Sequence, residues 1–219
     1  MTTLSSTERS TIRRGAARAV TDTEALHELL DASLLLHLGF VSDGAPVVLP
    51  TCFARVGERL YLHGSTGAAS LRRAAERVEV CATVTVLDGI VYARSVFHHS
   101  ANYRSAVIHG VASQLSDPEA KLTALHAVTE HLAPGSWEHT RLPSKQELAK
   151  TAVLALPLAE AAVKIRTGGP VDDETDIEAD HSWAGVLPVH SRWGNPIPSP
   201  DLATPRAVPE HISRRRFAG

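Results

Sequence analysis

The chain is poor in aromatic residues, sulfur and unbalanced charge. Four Phe, three Tyr and three Trp make up 5% of its 219 residues, beside two Cys and one Met. Cys52 and Cys81 both fall in apolar alternating segments, so a disulfide scaffold is excluded and both read as reduced thiols of a cytoplasmic protein. No apolar run reaches the roughly 18 residues of a membrane helix, and the arginine-bearing N-terminal stretch lacks a signal-peptide core. No membrane partner is expected. With 22 Lys and Arg against 24 Asp and Glu, the net charge of −2 gives no basic field, which removes nucleic acid as a partner while leaving room for a small anion in a local pocket. Twelve histidines invite a metal reading. Yet no H-E-x-x-H, no C-x-x-C and no compact His/Asp cluster occurs, so no metal site is expected.

What the sequence does hold is short alternating segments. Thr21-Asp22-Thr23-Glu24 can cap a helix with a stripe of Ala25, Leu26, Leu29 and Leu30. Strands follow at Ser33 to Val41 and, after the turn Ser42-Asp43-Gly44, at Val47 to Val56; Arg59 to His63 alternates after a Gly57-Glu58 turn. Ala68 to Glu76 reads as a short helix. Val80 to Val86 and Ile90 to Val96 read as a hairpin about Asp88-Gly89, and Arg104 to Leu115 as a long strand in which Gly110 marks a bulge or a close approach. Asp117-Pro118 opens a helix with Leu122, Leu125, Val128, Thr129 and Leu132 on one face, leaving His126 and His131 as surface residues. Ser144 to Glu147 has the form of a capping box, and Thr151 to Leu158, Ala161 to Ile165 and Trp183 to Val189 complete the strands. Thr167 to Asp180 reads as a mobile acidic loop.

Short strands with peripheral helices and no G-x-G-x-x-G argue for a mainly β, antiparallel fold, a closed or partly closed barrel, although the periodicity alone leaves barrel and sandwich undecided. The expected division is an N-terminal arm (1–20), a barrel domain (21–190) and an extended proline-rich tail (191–219) ending in Arg214-Arg215-Arg216.

Two runs carry the chemistry: His63-Gly64-Ser65-Thr66-Gly67, with Arg72 and Arg73 after it, and Phe97 to Ser105, which includes His98-His99 and Asn102-Tyr103-Arg104-Ser105, with Arg94 before it. Hydroxyls, glycine N–H groups and a guanidinium are the materials of a phosphate pocket. A helix opening at Ala68 would aim its positive end at that pocket. His98 or His99 is a candidate acid or base, although neighbours on a strand face opposite sides and only one can enter a pocket. Ser65 lacks the nucleophile elbow of a hydrolase.

Together with Arg13-Arg14-Gly15, His37 to Val41, Leu49-Pro50-Thr51-Cys52-Phe53 and Asp88-Gly89, these runs resemble the FMN-binding split-barrel proteins of the pyridoxamine 5′-phosphate oxidase superfamily, in the flavin-nucleotide-binding branch related to nitroimidazole-resistance reductases. The resemblance spans about residues 11 to 190 and implies a Greek-key split barrel, a homodimer, and FMN at the subunit interface. It implies that the flavin ring lies against Pro50, Thr51 and Cys52. The phosphate turn would be His63, Gly64, Ser65 and Thr66, helped by Arg72. Asn102, Tyr103, Arg104 and Ser105 would be cofactor or interface residues, and Trp183 would reach the neighbouring subunit's flavin. Ala68-Ala69 stand where relatives place a serine and a basic residue, which points to weaker FMN binding. The implied activity is FMN-dependent oxidation or reduction of a small molecule with a reduced nicotinamide as electron source. A non-catalytic flavin carrier or sensor, and a haem-binding relative, are the alternatives.

Overall fold

The structure, a computed structural model, describes residues 3–4, 7–65 and 77–215, with Ser65 described in its backbone only. Strands β1 (Ala19–Val20), β2 (Leu35–Ser42), β3 (Ala45–Val56), β4 (Arg59–Ser65), β5 (Val78–Tyr92), β6 (Ser100–Gln114), β7 (Thr151–Pro157), β8 (Glu160–Arg166) and β9 (Gly185–Pro188) form one antiparallel sheet in the order β1-β8-β6-β7-β4-β3-β2-β5-β9. A further β5–β6 pairing closes β2 to β7 into a barrel. Closure is uneven. β5 and β6 pair along almost their whole length, whereas the β6–β7 ladder consists of Ser113↔Ala155 and Gln114↔Leu154, so the barrel is split at that seam.

Alternation on these strands builds the core. Leu36 and Leu38 of β2, Phe53 of β3, Leu60 and Leu62 of β4, Val84 of β5 and Ile108 of β6 are all buried and clustered. Helix α1 (Thr23–Ala32), capped by Asp22 accepting from the Glu24 N–H, adds Leu26, Leu29 and Leu30 to the same cluster. Each such side chain contributes roughly 1.5–3 kcal/mol by leaving water. The β2–β3 turn has Asp43 at φ 53° and Gly44 at φ 77°, the left-handed pair of a tight hairpin.

Helix α2 (Pro118–Leu132) is capped by Asp117 as its sequence indicates, but its buried face is Ala124 and Val128. Leu122 and Leu132 are 37% and 39% exposed, because the helix lies on β3 and β4 with its small residues inward. His131 is likewise not a surface residue. Its Nε2 lies 2.7 Å from the Ser33 carbonyl, and its ring packs 5.5 Å from that of Phe53. Short helices α3 (Ser136–His139) and α4 (Lys145–Lys150) follow, the latter with the full Ser144/Glu147 capping box. A Cβ on Gly110 would meet Leu156 Cδ1 at 2.9 Å, so the glycine marks a close approach.

Two further expectations are corrected. Asp88-Gly89 is not a hairpin turn: β5 continues through it, and the extra residue is absorbed as a bulge between Leu87↔Tyr103 and Gly89↔Asn102. Nor is 167–180 a bare loop. It contains helix α5 (Glu174–Ala179), and Arg94 grips it through Asp172 and Asp180 at 3.1 and 2.8 Å. The N-terminal arm is stitched to the sheet edge, with Ala19 and Val20 paired to β8 and Arg9 bonded to Glu160. The tail runs exposed without regular structure until helix α6 (Glu210–Ser213), where His211 packs on His139 at 4.4 Å and Arg215 lies over the Trp193 ring. Among the described residues no helix is long and apolar enough to cross a membrane.

Candidate functional site

The bulge and the barrel ends divide the candidate residues between two clefts. The first, of about 310 Å³, lies between β4 and helices α2 to α4 and includes His63, Leu125, Trp137, Arg141, Leu142 and Leu148. β4 runs as a strand through Gly64 and Ser65, which pair with Ala152 and Thr151. Desolvation by the cleft walls lowers the His63 pKa and so favours the neutral imidazole, although the residue remains exposed at the cleft mouth. At the same cleft Arg141 grips Glu147, whose carboxyl is held down to about 2 by that guanidinium and by the Ser144 N–H and hydroxyl. Thr66, Gly67, Ala68, Ala69, Arg72, Arg73 and the helix expected at Ala68 to Glu76 lie outside the described residues.

The second cleft, of about 570 Å³, is bounded by the α1–β2 connection, the bulged part of β5, Arg104, and the chain leaving β9 through Val189 and His190. It shares no lining residue with the first. Arg104 does not stand open for an anion. Its Nε and Nη2 sit 3.0–3.3 Å from the Asp88 carboxylate. Asn102 is buried, donating from Nδ2 to the Gly168 carbonyl at 3.0 Å while its Oδ1 accepts from Arg166. That pair clips the turn at Gly168-Gly169, where Gly168 has φ 93°. Tyr103 sits between Leu87 of β5 and Arg166 of β8, and the Ser105 hydroxyl donates to the Lys164 carbonyl.

Pro50 is exposed on the part of β3 that pairs only with β2, since β4 joins β3 from Phe53 onward. Among the described residues, Pro50, Thr51 and Cys52 thus have no strand partner on the side away from β2, where the local opening is expected. Trp183 is 70% exposed and rests 6.0 Å from Tyr92, which also meets the His99 ring edge-on at 5.7 Å. The two adjacent histidines do not lie on a strand: β5 ends at Tyr92, Val96–His98 is a 3-10 turn and β6 begins at Ser100, and it is this turn that sends the two rings to different partners. His99 Nδ1 accepts from the Ala93 N–H, and His98 Nε2 faces Asp173 at 3.3 Å.

Sequence reasoning missed Asp88, Arg166, Asp172 and Asp180. Asp88 had a readable signal. Buried positions on β5 are even-numbered through Val84 and odd-numbered at Val91, the phase change that a one-residue bulge leaves. The carboxylates of 167–180 carried none, since their partner Arg94 is 78 and 86 residues away.

Among the described residues no group of three or more His, Cys, Asp or Glu is placed to hold a metal ion. The sequence profile of the pyridoxamine 5′-phosphate oxidase family matches residues 22–165. The chain belongs to this family. The flavocytochrome Anf3 from Azotobacter vinelandii is 38% identical, with a TM-score of 0.90 over 96% of this chain and 98% of that one. An FAD and heme binding protein from Mycobacterium smegmatis is also 38% identical, with a TM-score of 0.85 over 90% and 96%. A candidate 5-nitroimidazole antibiotic resistance protein from Bacteroides thetaiotaomicron, at 20% identity and a TM-score of 0.57 over 67% and 86%, shares the fold. No curated protein matches the chain.

Proposed function

We propose that this chain is a flavin-binding redox protein that works as a homodimer, each cofactor site being completed by the partner chain. The observation that carries the reading is the 38% identity, across 96% and 90% of the chain, with a flavocytochrome and with an FAD and heme binding protein. The division of the motif residues supports the shared site. His63 and Arg104 line clefts with no residue in common, an arrangement in keeping with a ligand held between two chains.

FMN is the nucleotide the motifs imply and FAD the one named for the mycobacterial relative; the mass of the extracted cofactor decides between them. Bound flavin would supply two-electron chemistry toward a small molecule, with a reduced nicotinamide as donor, while the protein supplies placement. The edge of β3 at Pro50 to Cys52, which has no strand partner beyond β2 among the described residues, fits a flat ring, because its backbone groups are free of β4. Cys52 and Cys81 are both free, in keeping with a reducing cytoplasm.

Haem is the second group in this reading, and the first cleft fits it by its donor set. His63 is a neutral imidazole, the form that ligates iron, with Leu125, Trp137, Leu142 and Leu148 as apolar surroundings. The deciding experiment is the visible spectrum of the purified protein, followed by anaerobic addition of reduced nicotinamide. A flavin doublet bleached faster than that of free flavin is expected, and a Soret band lost in His63→Ala identifies the haem ligand. Flavin that binds without turning over makes the protein a carrier or sensor. A colourless protein that takes up neither group on reconstitution refutes the proposal.

A further inference from the structure

β5 carries one residue more than β6 where the two strands face each other: Leu87 pairs with Tyr103 and Gly89 with Asn102, leaving Asp88 without a ladder partner. Such an extra residue bends its strand and re-aims its side chain. This bulge is wedged in place. A Cβ on Gly89 would meet the Leu187 carbonyl at 3.0 Å and Val186 Cγ1 at 3.1 Å, and the Asp88 carbonyl accepts from the Val189 N–H at 3.0 Å. The Asp88 carboxylate is thereby set on Arg104, whose Nη2 lies 3.0 Å from Oδ1 and whose Nε lies 3.1 Å from Oδ2. Arg104 Nη1 makes no hydrogen bond among the described residues. The two side chains are 31% and 33% exposed, and both border the 570 Å³ cleft beside apolar Leu34, Leu35, Val86 and Val189.

An isolated surface ion pair contributes at most about 1 kcal/mol, which is weak reason for a wedged bulge to build one inside a cleft. A phosphate is a poor occupant. Asp88 already neutralises the guanidinium and would repel a second anion. What the pair does present is a donor beside an acceptor: the remaining N–H groups of Arg104 next to the carboxylate oxygens of Asp88. We infer that Asp88 and Arg104 together recognise the amide edge of a neutral planar heterocycle, Arg104 donating to its C=O and Asp88 accepting from the adjoining N–H. Two groups in the proposed function carry that edge, the pyrimidine ring of a flavin and the carboxamide of a nicotinamide; naming these two rests on that reading, while the chemistry of the pair does not.

The test titrates riboflavin, nicotinamide and inorganic phosphate separately into the full-length protein freed of flavin, as wild type, Asp88→Asn and Arg104→Lys, after thermal melts confirm folding. Asp88→Asn is expected to weaken riboflavin or nicotinamide at least about tenfold, the scale of one hydrogen bond to a charged group. It should leave inorganic phosphate unchanged or bound more tightly. Arg104→Lys keeps the charge and loses the fork, and should show the same loss should Asp88→Asn fail to fold. Loss confined to riboflavin assigns the cleft to the flavin, and loss confined to nicotinamide assigns it to the electron donor. Unchanged binding of both ligands in the folded variants overturns the inference, as does wild-type affinity for phosphate that Asp88→Asn weakens. A wild-type protein that shows a flavin spectrum while both variants bind like wild type keeps the flavin reading and loses only this one.

Discussion

The barrel interior and the strap formed by residues 167–180 are assembled from different materials. Within the barrel, Leu36, Phe53, Leu60 and Ile108 are each 0% exposed, in a cluster built mainly of apolar side chains that arrive at a strand's period of two. In the strap, Val171 is 77% exposed and Ile177 49%, and attachment comes instead from directed contacts: Arg94 to Asp172 and Asp180, His98 to Asp173, and Asn102 with Arg166 to the carbonyls of Gly168 and Gly169. Apolar burial is non-directional and spread over many residues, so it tolerates small displacements. The strap depends on a few groups of fixed geometry. The comparison teaches that one chain can hold its fold by patterning while it holds a mobile-looking segment by pairing.

The largest effect should come from breaking the barrel. Phe53→Ala removes a fully buried ring that also carries the His131 contact between α2 and the barrel, and is expected to cost about 3–5 kcal/mol in denaturant melts. A loss below about 1 kcal/mol would mean that the cluster around Phe53 is not where stability resides.

A smaller but still global effect is expected where strap and barrel meet. Asn102→Ala takes one acceptor from the buried Arg166 guanidinium and one donor from the Gly168 carbonyl, and should cost about 1.5–3 kcal/mol, the range for hydrogen bonds to charged groups. Asn102→Asp, which keeps an acceptor for Arg166, should recover part of that stability in the same melts. No recovery would place the effect in packing instead.

Arg94→Ala should separate the two regions. With Asp172 and Asp180 released, a Glu-specific protease should cut at Glu174 and Glu178 on the order of tenfold faster, while the melting of the barrel barely moves, because local opening and global unfolding draw on different contacts. Equal acceleration throughout the chain would show that the strap and the barrel unfold as one unit.

These differences also explain what could be read in the sequence. The hairpin at Asp43-Gly44, the caps at Asp22, Asp117 and Ser144, and the buried alternation of β5 and β6 are local or periodic, and each was legible. Asp88-Gly89 was misread because a bulge and a hairpin use the same two residue types, and only the phase of the flanking pattern tells them apart. The strap was misread because its composition is that of a disordered segment, and nothing near it in sequence announces Arg94. At the site, Asn102, Tyr103, Arg104 and Ser105 lie on β6, but the partners that decide their chemistry, Asp88 for Arg104 and Arg166 for Asn102, come from other strands. Side-chain pairing across a sheet follows register, and register was not readable from residue types alone.

The smallest effect tests whether the N-terminal arm behaves like the strap. Glu160 at the start of β8 accepts from Thr7 and from Arg9, whose Nη2 lies 2.6 Å away, and its carboxyl is held down to about 2, first by the Arg9 hydrogen bond and then by Thr7. A carboxyl whose folded pKa is depressed gives stability that is complete above its ordinary value near 4.5 and is lost as the pH falls from there toward about 2. Hydrogen-exchange protection of residues 7–20 should therefore decline across that window while the barrel strands stay protected. Glu147, also held to about 2, titrates in the same range at α4, so whole-molecule melts would mix the two effects. Glu160→Gln isolates the arm: its protection should already be reduced at neutral pH and should not vary between 4.5 and 2. Matching pH profiles in wild type and Glu160→Gln would mean that the Glu160 ion pair does not hold the arm, which would then rest on the β1–β8 pairing and not on charge as the strap does.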